Sequence, residues 1–375
     1  MKTHLLLISK QVVPNLTPLL DPEIKPEAVI MLVSTDMQKR AEWLNQVLTP
    51  QGIKSRIVKI DDAYDIHSIR NIVTEIIIEN DQLMLNATGG TKLMSIAAYE
   101  EFRSADLPIY YVHPDTDLMI WMHDKNKKSH QIADRIKLDK FLTAHGASIT
   151  KISRQKPKGE DIELTDKIIQ DITYFRYAVT EINYLAQKAS STLISPKISD
   201  IRLTNQAAFN DLVDLFSLNG YIKQSNGCLK FPNEEKRFFV NGGWIEQWVY
   251  EKVRAFKNKN PLVHDAACNI EIERQLNRGK PVKNEIDAAF LYNNRLHIIE
   301  CKTRKLKLKD TAGADTLYKL ETLKPIMGGL QARAMLASLL DVPDRDRTRA
   351  AELNISICSG EQLKNFDEHL KKFIG

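Results

Sequence analysis

The sequence predicts an α/β protein in which an N-terminal doubly wound unit and a C-terminal mixed α/β unit flank a helical connector. Three observations lead there. Residues 4–113 alternate apolar strands with amphipathic helices, the pattern of a parallel sheet covered on both faces. Residues 283–302 form two apolar arms about a two-residue Asn293-Asn294 turn, a favoured hairpin signal, because asparagine tolerates the positive φ such turns require. Between these regions, Lys151 to Asp161 is charged, carries Pro157 and Gly159, and reads as a linker. The expected division is 1–150, 151–240 and 241–375.

In the first unit, strands are expected at His4–Ser9, Ala28–Ser34 and Ile53–Ile60, with helices at Met37–Leu48 and Ile66–Glu79. The short apolar strand Gln82–Ala87 then runs through Thr88-Gly89-Gly90-Thr91-Lys92 into a helix reaching Glu100, and strand Pro108–His113 follows. A helix N-terminus offers unpaired N–H groups and partial positive charge, so this turn suits a phosphate. Gly89 and Gly90 let the main chain approach a ligand, and Thr88, Thr91 and Lys92 add donors, as does Asn86 at the strand end. The turn is not a P-loop, because Thr91 rather than Gly precedes Lys92, and no G-x-G-x-x-G fingerprint occurs. In a doubly wound sheet, ligands bind at the carboxyl ends of the strands. The first strand ends in Ser9-Lys10-Gln11 and the second in Ser34-Thr35, so Ser9, Gln11 and Thr35 can converge on the glycine turn.

In the connector, a helical stretch at Leu164–Lys188 carries an apolar stripe suited to domain packing or a dimer surface. Helix Asn205–Leu218 and a hairpin at Tyr221–Phe231, turning at Ser225-Asn226-Gly227, have the makings of a winged helix.

The C-terminal hairpin carries the chemistry. Its turn sets Tyr292 against Arg295, so Asp287 lies opposite Glu300, and Glu285 opposite Lys302. Two carboxylates so close repel each other unless a cation stands between them. Period two puts Glu300 and Lys302 on one face, with Cys301 turned to the core. Upstream, a helix opening after Gly242-Gly243 offers Glu246 as a further acid. Downstream come helix-like stretches at Thr311–Leu323 and Met327–Leu340, an apolar strand at Leu353–Cys358 and a last helix to Phe373.

That layout, with Asn284-Glu285-Ile286-Asp287 and Ile299-Glu300-Cys301-Lys302, resembles the PD-(D/E)XK nuclease superfamily, although the Pro of its motif is absent. The resemblance implies that Asp287, Glu300, the Cys301 backbone carbonyl and Glu246 hold Mg²⁺ or Mn²⁺. It implies that Lys302 orients water or stabilises transition-state charge, and that Gln331 is an auxiliary polar residue. The turn Asn86–Lys92 and the Ser9-x-Gln11 strand end resemble the CRISPR-associated Rossmann-fold (CARF) domain, whose ligand is a cyclic oligoadenylate, most often the tetramer. A CARF domain followed by a PD-(D/E)XK domain is similar to the cyclic-oligoadenylate-activated DNA/RNA endonucleases of type III CRISPR defence. That likeness implies a homodimer cutting DNA, RNA or both. The rival reading is a ligand-sensing regulator that binds DNA without cutting it.

Bulk properties agree. The 375 residues carry a net charge of +5, compatible with a polyanionic partner, and Lys305, Lys307 and Lys309 alternate just after the catalytic strand. Four cysteines without a C-x-x-C motif indicate neither zinc nor a disulfide framework. The apolar run Leu5–Ile8 is too short for a signal peptide, and no stretch approaches the ~20 apolar residues of a membrane span. The expected location is the cytoplasm.

Overall fold

The first sheet is built on β1 (Thr3–Leu7) and β2 (Ala28–Ser34), every residue of which is buried. The computed structural model describes all residues except 1, 125–126, 276–279 and 305–311, together with the side chains of 312–315. The basic residues Lys305, Lys307 and Lys309 therefore lie outside the described residues. Around β1 and β2 stand α1 (Val13–Leu20), α2 (Gln38–Leu48), β3 (Lys54–Ile60), α3 (Ile66–Ile78), β4 (Leu83–Asn86), α4 (Lys92–Ser104) and β5 (Ile109–His113). β6 (Leu118–His123) and β7 (His130–Gln131) complete a sheet of order β3-β2-β1-β4-β5-β6-β7. The first five are parallel, and β6 and β7 return antiparallel. The chain order reverses between β1 and β4, which makes the crevice beyond their carboxyl ends the place for a ligand. Helix α1, which carries Pro14 and Pro18, was not expected from the sequence.

After α5 (Leu138–Ala144), the strand β8 (Ser148–Ser153) pairs with the far sheet. The stretch expected as a linker thus holds the end of a strand and the start of α6 (Gly159–Gln170). α7 (Ile172–Lys188), β9 (Ile194–Lys197), α8 (Gln206–Leu218), β10 (Lys223–Ser225) and β11 (Cys228–Lys230) follow. The expected helix and hairpin are present, and β9 adds a third strand in the order β10-β11-β9.

α9 (Glu234–Phe238) leads through a kink at Gly242, φ 112°, into α10 (Trp244–Lys259). Then come β12 (Val263–Arg274), β13 (Val282–Tyr292), β14 (Arg295–Lys302), α11 (Ala312–Gly328), β15 (Arg333–Ser338), α12 (Asp344–Glu352), β16 (Ile355–Ser359) and α13 (Phe366–Ile374). Their sheet runs β16-β15-β14-β13-β12-β8. The helix expected over Met327–Leu340 is instead the strand β15, held parallel between β14 and β16. Ala334, Met335, Leu336 and Ala337 are buried on both faces, and such an apolar run does not distinguish a central strand from a helix by its period. Gly329, with φ 68°, ends α11 before it.

One apolar cluster joins the two large sheets. It contains Leu6, Val29, Met31 and Phe141 from the N-terminal side, and Ile286, Leu296, Ile298 and Leu320 from the C-terminal side. The sheets therefore share a packed core rather than hanging on a tether.

Candidate active site and ligand turn

The hairpin of β13 and β14 folds as its turn dictates. Asn293 and Asn294 have φ 47° and 54°, and the ladder runs from Tyr292–Arg295 to Ala288–Ile299. There it ends. The Cys301 N–H donates to Asp287 Oδ2 at 2.7 Å instead of to a backbone carbonyl, so a side chain occupies the hairpin where the next rung would form. The expected pairing of Glu285 with Lys302 does not occur. Glu285 stands in register with Glu271 of β12, and the Lys302 ammonium donates to Glu300 Oε1 at 2.6 Å.

Asp287 and Glu300 are 7% and 3% exposed, at a depth where an ionised carboxylate needs partners. Burial, then the charge of Glu300, pushes the Asp287 carboxyl up to about 7. Glu246 enters from the first turn of α10, and burial, then the charges of Asp287 and Glu285, pushes it up to about 8. Burial opposes the Lys302 charge, yet Glu300 and Asp287 together hold its pKa above the usual lysine value. The acids thus sense one another through space, as mutually repelling carboxylates do.

Glu300 has a second cation that the sequence did not reveal. Lys319 of α11 donates to Oε2 at 2.8 Å, so each Glu300 oxygen accepts from one ammonium. No local signal marks Lys319, because its contact depends on where α11 crosses β14. Two elements steady the floor of the site. A Cβ at Gly242 would come 2.3 Å from Thr303 Oγ1, so only glycine lets the α10 kink sit on the residue after Lys302. Cys301 faces the core, as its period predicts. Gln331 does not join the site, for its side chain reaches Pro114 O and, at 3.0 Å, Asp115 Oδ1 of the N-terminal unit.

Oxygen donors buried together against their own repulsion suit a hard divalent cation. Among the described residues, no three His, Cys, Asp or Glu side chains are grouped tightly enough to hold an ion alone. Mg²⁺ commonly keeps several waters and takes only one or two carboxylates, so Asp287 and Glu300 fit such an ion.

The glycine turn lies at the carboxyl end of β4. Thr91 caps α4 by accepting from the Met94 N–H at 3.2 Å, and its hydroxyl donates to Ala63 O. A Cβ at Gly89 would lie 1.9 Å from Leu7 O, and Gly90 has φ 76°, so the turn packs against the end of β1. Asn86 is fully buried. Its Nδ2 donates to Pro14 O and Asn15 Oδ1, and its Oδ1 accepts from the Thr88 N–H and hydroxyl. The Thr88 hydroxyl also accepts from the Val112 N–H. Asn86 and Thr88 therefore shape the turn. Lys92 and Thr35 are exposed, Ser9 and Gln11 half-buried. Gln11 lies beside Gly329 and lines the space between the units.

Residues 3–141 match the family model described as the Card1 CARF domain. Residues 233–374 match the one described as Card1-like, endonuclease domain. No curated protein matches the sequence. The crystal structure of protein VC1899 from Vibrio cholerae is 30% identical with a TM-score of 0.90, covering 100% of this chain and 98% of that one. Can2 from Sulfobacillus thermosulfidooxidans, solved in complex with cyclic tetra-adenylate, is 26% identical with a TM-score of 0.83 and full coverage of both chains. A type III CRISPR defence DNA nuclease activated by cyclic oligoadenylate shares the fold at 16% identity and a TM-score of 0.61, over 99% of this chain and 51% of that one.

Proposed function

The chain belongs to the Card1-like family of CARF-domain endonucleases, and we propose that it is a metal-dependent phosphodiesterase switched on by a cyclic oligoadenylate, with cyclic tetraadenylate as the activator. The cyclic tetra-adenylate bound to Can2 supports that choice. The ligand unit lies within 1–150, the connector within 151–240 and the nuclease unit within 241–375, with β8 crossing the first boundary to join the nuclease sheet. Ser9, Thr35, Lys92 and the backbone of Gly89 and Gly90 face the activator, while Asn86, Thr88 and Thr91 hold the turn in shape.

The observation that carries the reading is the end of the hairpin ladder, where the buried Asp287 accepts from the Cys301 N–H and the buried Glu300, whose charge Asp287 senses, accepts from the Lys302 ammonium. Asp287, Glu300 and the Cys301 carbonyl are the ligands for Mg²⁺ or Mn²⁺, with Glu246 completing the set directly or through water. The bound ion supplies a water of lowered pKa and neutralises charge on the scissile phosphate. Lys302 keeps its proton, and its ammonium stabilises the extra negative charge of the phosphate in the transition state. Two copies pair about a two-fold axis, matching a two-fold ligand ring, and the ligand favours the cutting arrangement of the pair.

The test incubates the protein with cyclic oligoadenylates of different ring size, Mg²⁺ or Mn²⁺, and labelled single- and double-stranded DNA and RNA. Cleavage that needs both activator and metal, and is lost in Glu300→Ala with activator affinity kept, supports the reading. Equal cleavage with and without every activator overturns the gating. Activator binding with no cleavage of any substrate favours the regulator.

A further inference from the structure

The catalytic hairpin touches the N-terminal unit at its tip. Asn294 is 2% exposed although it lies in a turn, and its Nδ2 donates to Asp117 Oδ2. Asp117 is itself buried, in the turn between β5 and β6 with φ 55°. Its other oxygen lies 3.5 Å from the Thr17 hydroxyl, which also donates to Val13 O at 3.1 Å. Thr17 belongs to α1, and so does Asn15, whose amide donates to Leu7 O at 3.0 Å and accepts from Asn86 at 3.2 Å. Leu7 O is the atom against which Gly89 packs. A second route reaches the same carboxylate. The Thr88 hydroxyl accepts from the Val112 N–H at 2.8 Å on β5, and the Asp117 N–H donates to His113 O at 2.9 Å.

Both routes begin at the glycine turn and end at Asp117. From Asn294, Glu300 is six residues along β14 and Asp287 seven residues back along β13, about 20 Å of strand. Because β13 and β14 are held by β12 and β15 on either side, a shift at the gripped tip is carried along the paired strands rather than absorbed by local bending. Asn294 Oδ1 is buried without a partner among the described residues, so the joint is incompletely satisfied in this state.

We propose that the Asp117–Asn294 contact is the joint through which the ligand turn positions the catalytic hairpin, making both side chains positioning residues. This rests on the activator reading above and names how that site is regulated. The joint acts by holding the tip of β13 and β14 in one of two settings that the ligand turn selects.

The test exploits the turn itself. Asn294→Gly removes the donor and leaves Asn-Gly, a preferred hairpin turn, so the hairpin should still fold. Asn294→Asp sets two carboxylates against each other. The double change Asp117→Asn with Asn294→Asp restores the bond with donor and acceptor exchanged. Cyclic tetraadenylate binding, melting temperature, and cleavage with and without cyclic tetraadenylate are measured for each. The expected result is near-wild-type melting and ligand binding for Asn294→Gly, with at least a tenfold fall in the ratio of activated to basal cleavage. Asn294→Asp should lose that ratio likewise, and the exchanged pair should recover most of it, which a merely structural contact would not do. A wild-type ratio in Asn294→Gly overturns the joint alone. A wild-type protein that no activator stimulates overturns the activator reading, and the joint with it.

Discussion

Replacing Asp287 by asparagine should stabilise the metal-free protein while abolishing its activity. The side chain is buried, and burial and Glu300 together raise its pKa to about 7. A carboxyl raised in the folded state binds protons more tightly there than in the unfolded chain. Stability therefore falls as pH rises from the unfolded value near ~4 to the folded one, and the cost stays in place above it. The distance between those values is worth on the order of 4 kcal/mol at pH 8 and under ~2 kcal/mol at pH 5. Asparagine carries no charge to repel, and its amide oxygen can still accept from the Cys301 N–H. In EDTA at pH 8 urea unfolding should show the variant more stable by about 2–4 kcal/mol, with a higher midpoint, and the gap should narrow by roughly half at pH 5. Added Mn²⁺ should raise the wild-type midpoint and leave the variant nearly unmoved, since only the wild type gains from binding. A metal-free Asp287→Asn protein no more stable than wild type at pH 8 would refute the repelled-carboxylate argument.

Lys319→Ala should free Glu300 Oε2 and lower kcat by about 10-fold or more, with activator affinity unchanged, as single-turnover cleavage and ligand titration would report. Gly242→Ala meets both Thr303 Oγ1 and a φ of 112°, so it should cost about 1–3 kcal/mol and displace Glu246, read as a lower melting temperature together with reduced cleavage. His297→Phe should leave stability at pH 7 little changed but protect against acid. Burial holds the His297 pKa down at about 3, so stability present at neutral pH is lost as pH falls below the unfolded value near ~6.5. At pH 5 that loss is about 2 kcal/mol, and phenylalanine, stacked like His297 on Phe290, cannot incur it.

Local chemistry made much of the architecture legible. Asn293-Asn294 set the register from Tyr292–Arg295 onward, because a two-residue turn leaves the arms no other alignment. Gly89 and Gly90 read as letting the main chain approach a ligand, and in the structure their Cβ positions are filled by Leu7. What failed depended on distant neighbours. Ala334 to Ala337 reads equally well as helix or strand, and only the flanking strands β14 and β16 decide it. Lys319 reaches Glu300 from nineteen residues away, and β8 joins a sheet whose next strand begins more than a hundred residues later. Asn86 looked like a ligand donor because its strand-end position suits one. Its four hydrogen bonds are consumed by Pro14, Asn15 and Thr88, partners that no spacing rule connects to it.

Asn294 shows why one residue can carry a local and a global task at once. Its positive φ satisfies the turn, and that requirement alone would be met better by glycine. What glycine lacks is the amide that reaches Asp117. An asparagine kept at a position where the backbone prefers glycine is thus explained by the contact its side chain makes. That contact lies at the edge of a core shared by both sheets, in which Leu6 and Met31 pack in the same cluster as Ile286 and Ile298. Close-packed interiors do not absorb small displacements by bending; they shift between discrete arrangements. A change at the Gly89 turn that moves the end of β1 therefore reaches the hairpin either through that core or through its gripped tip, and substitution at Asn294 separates the two routes.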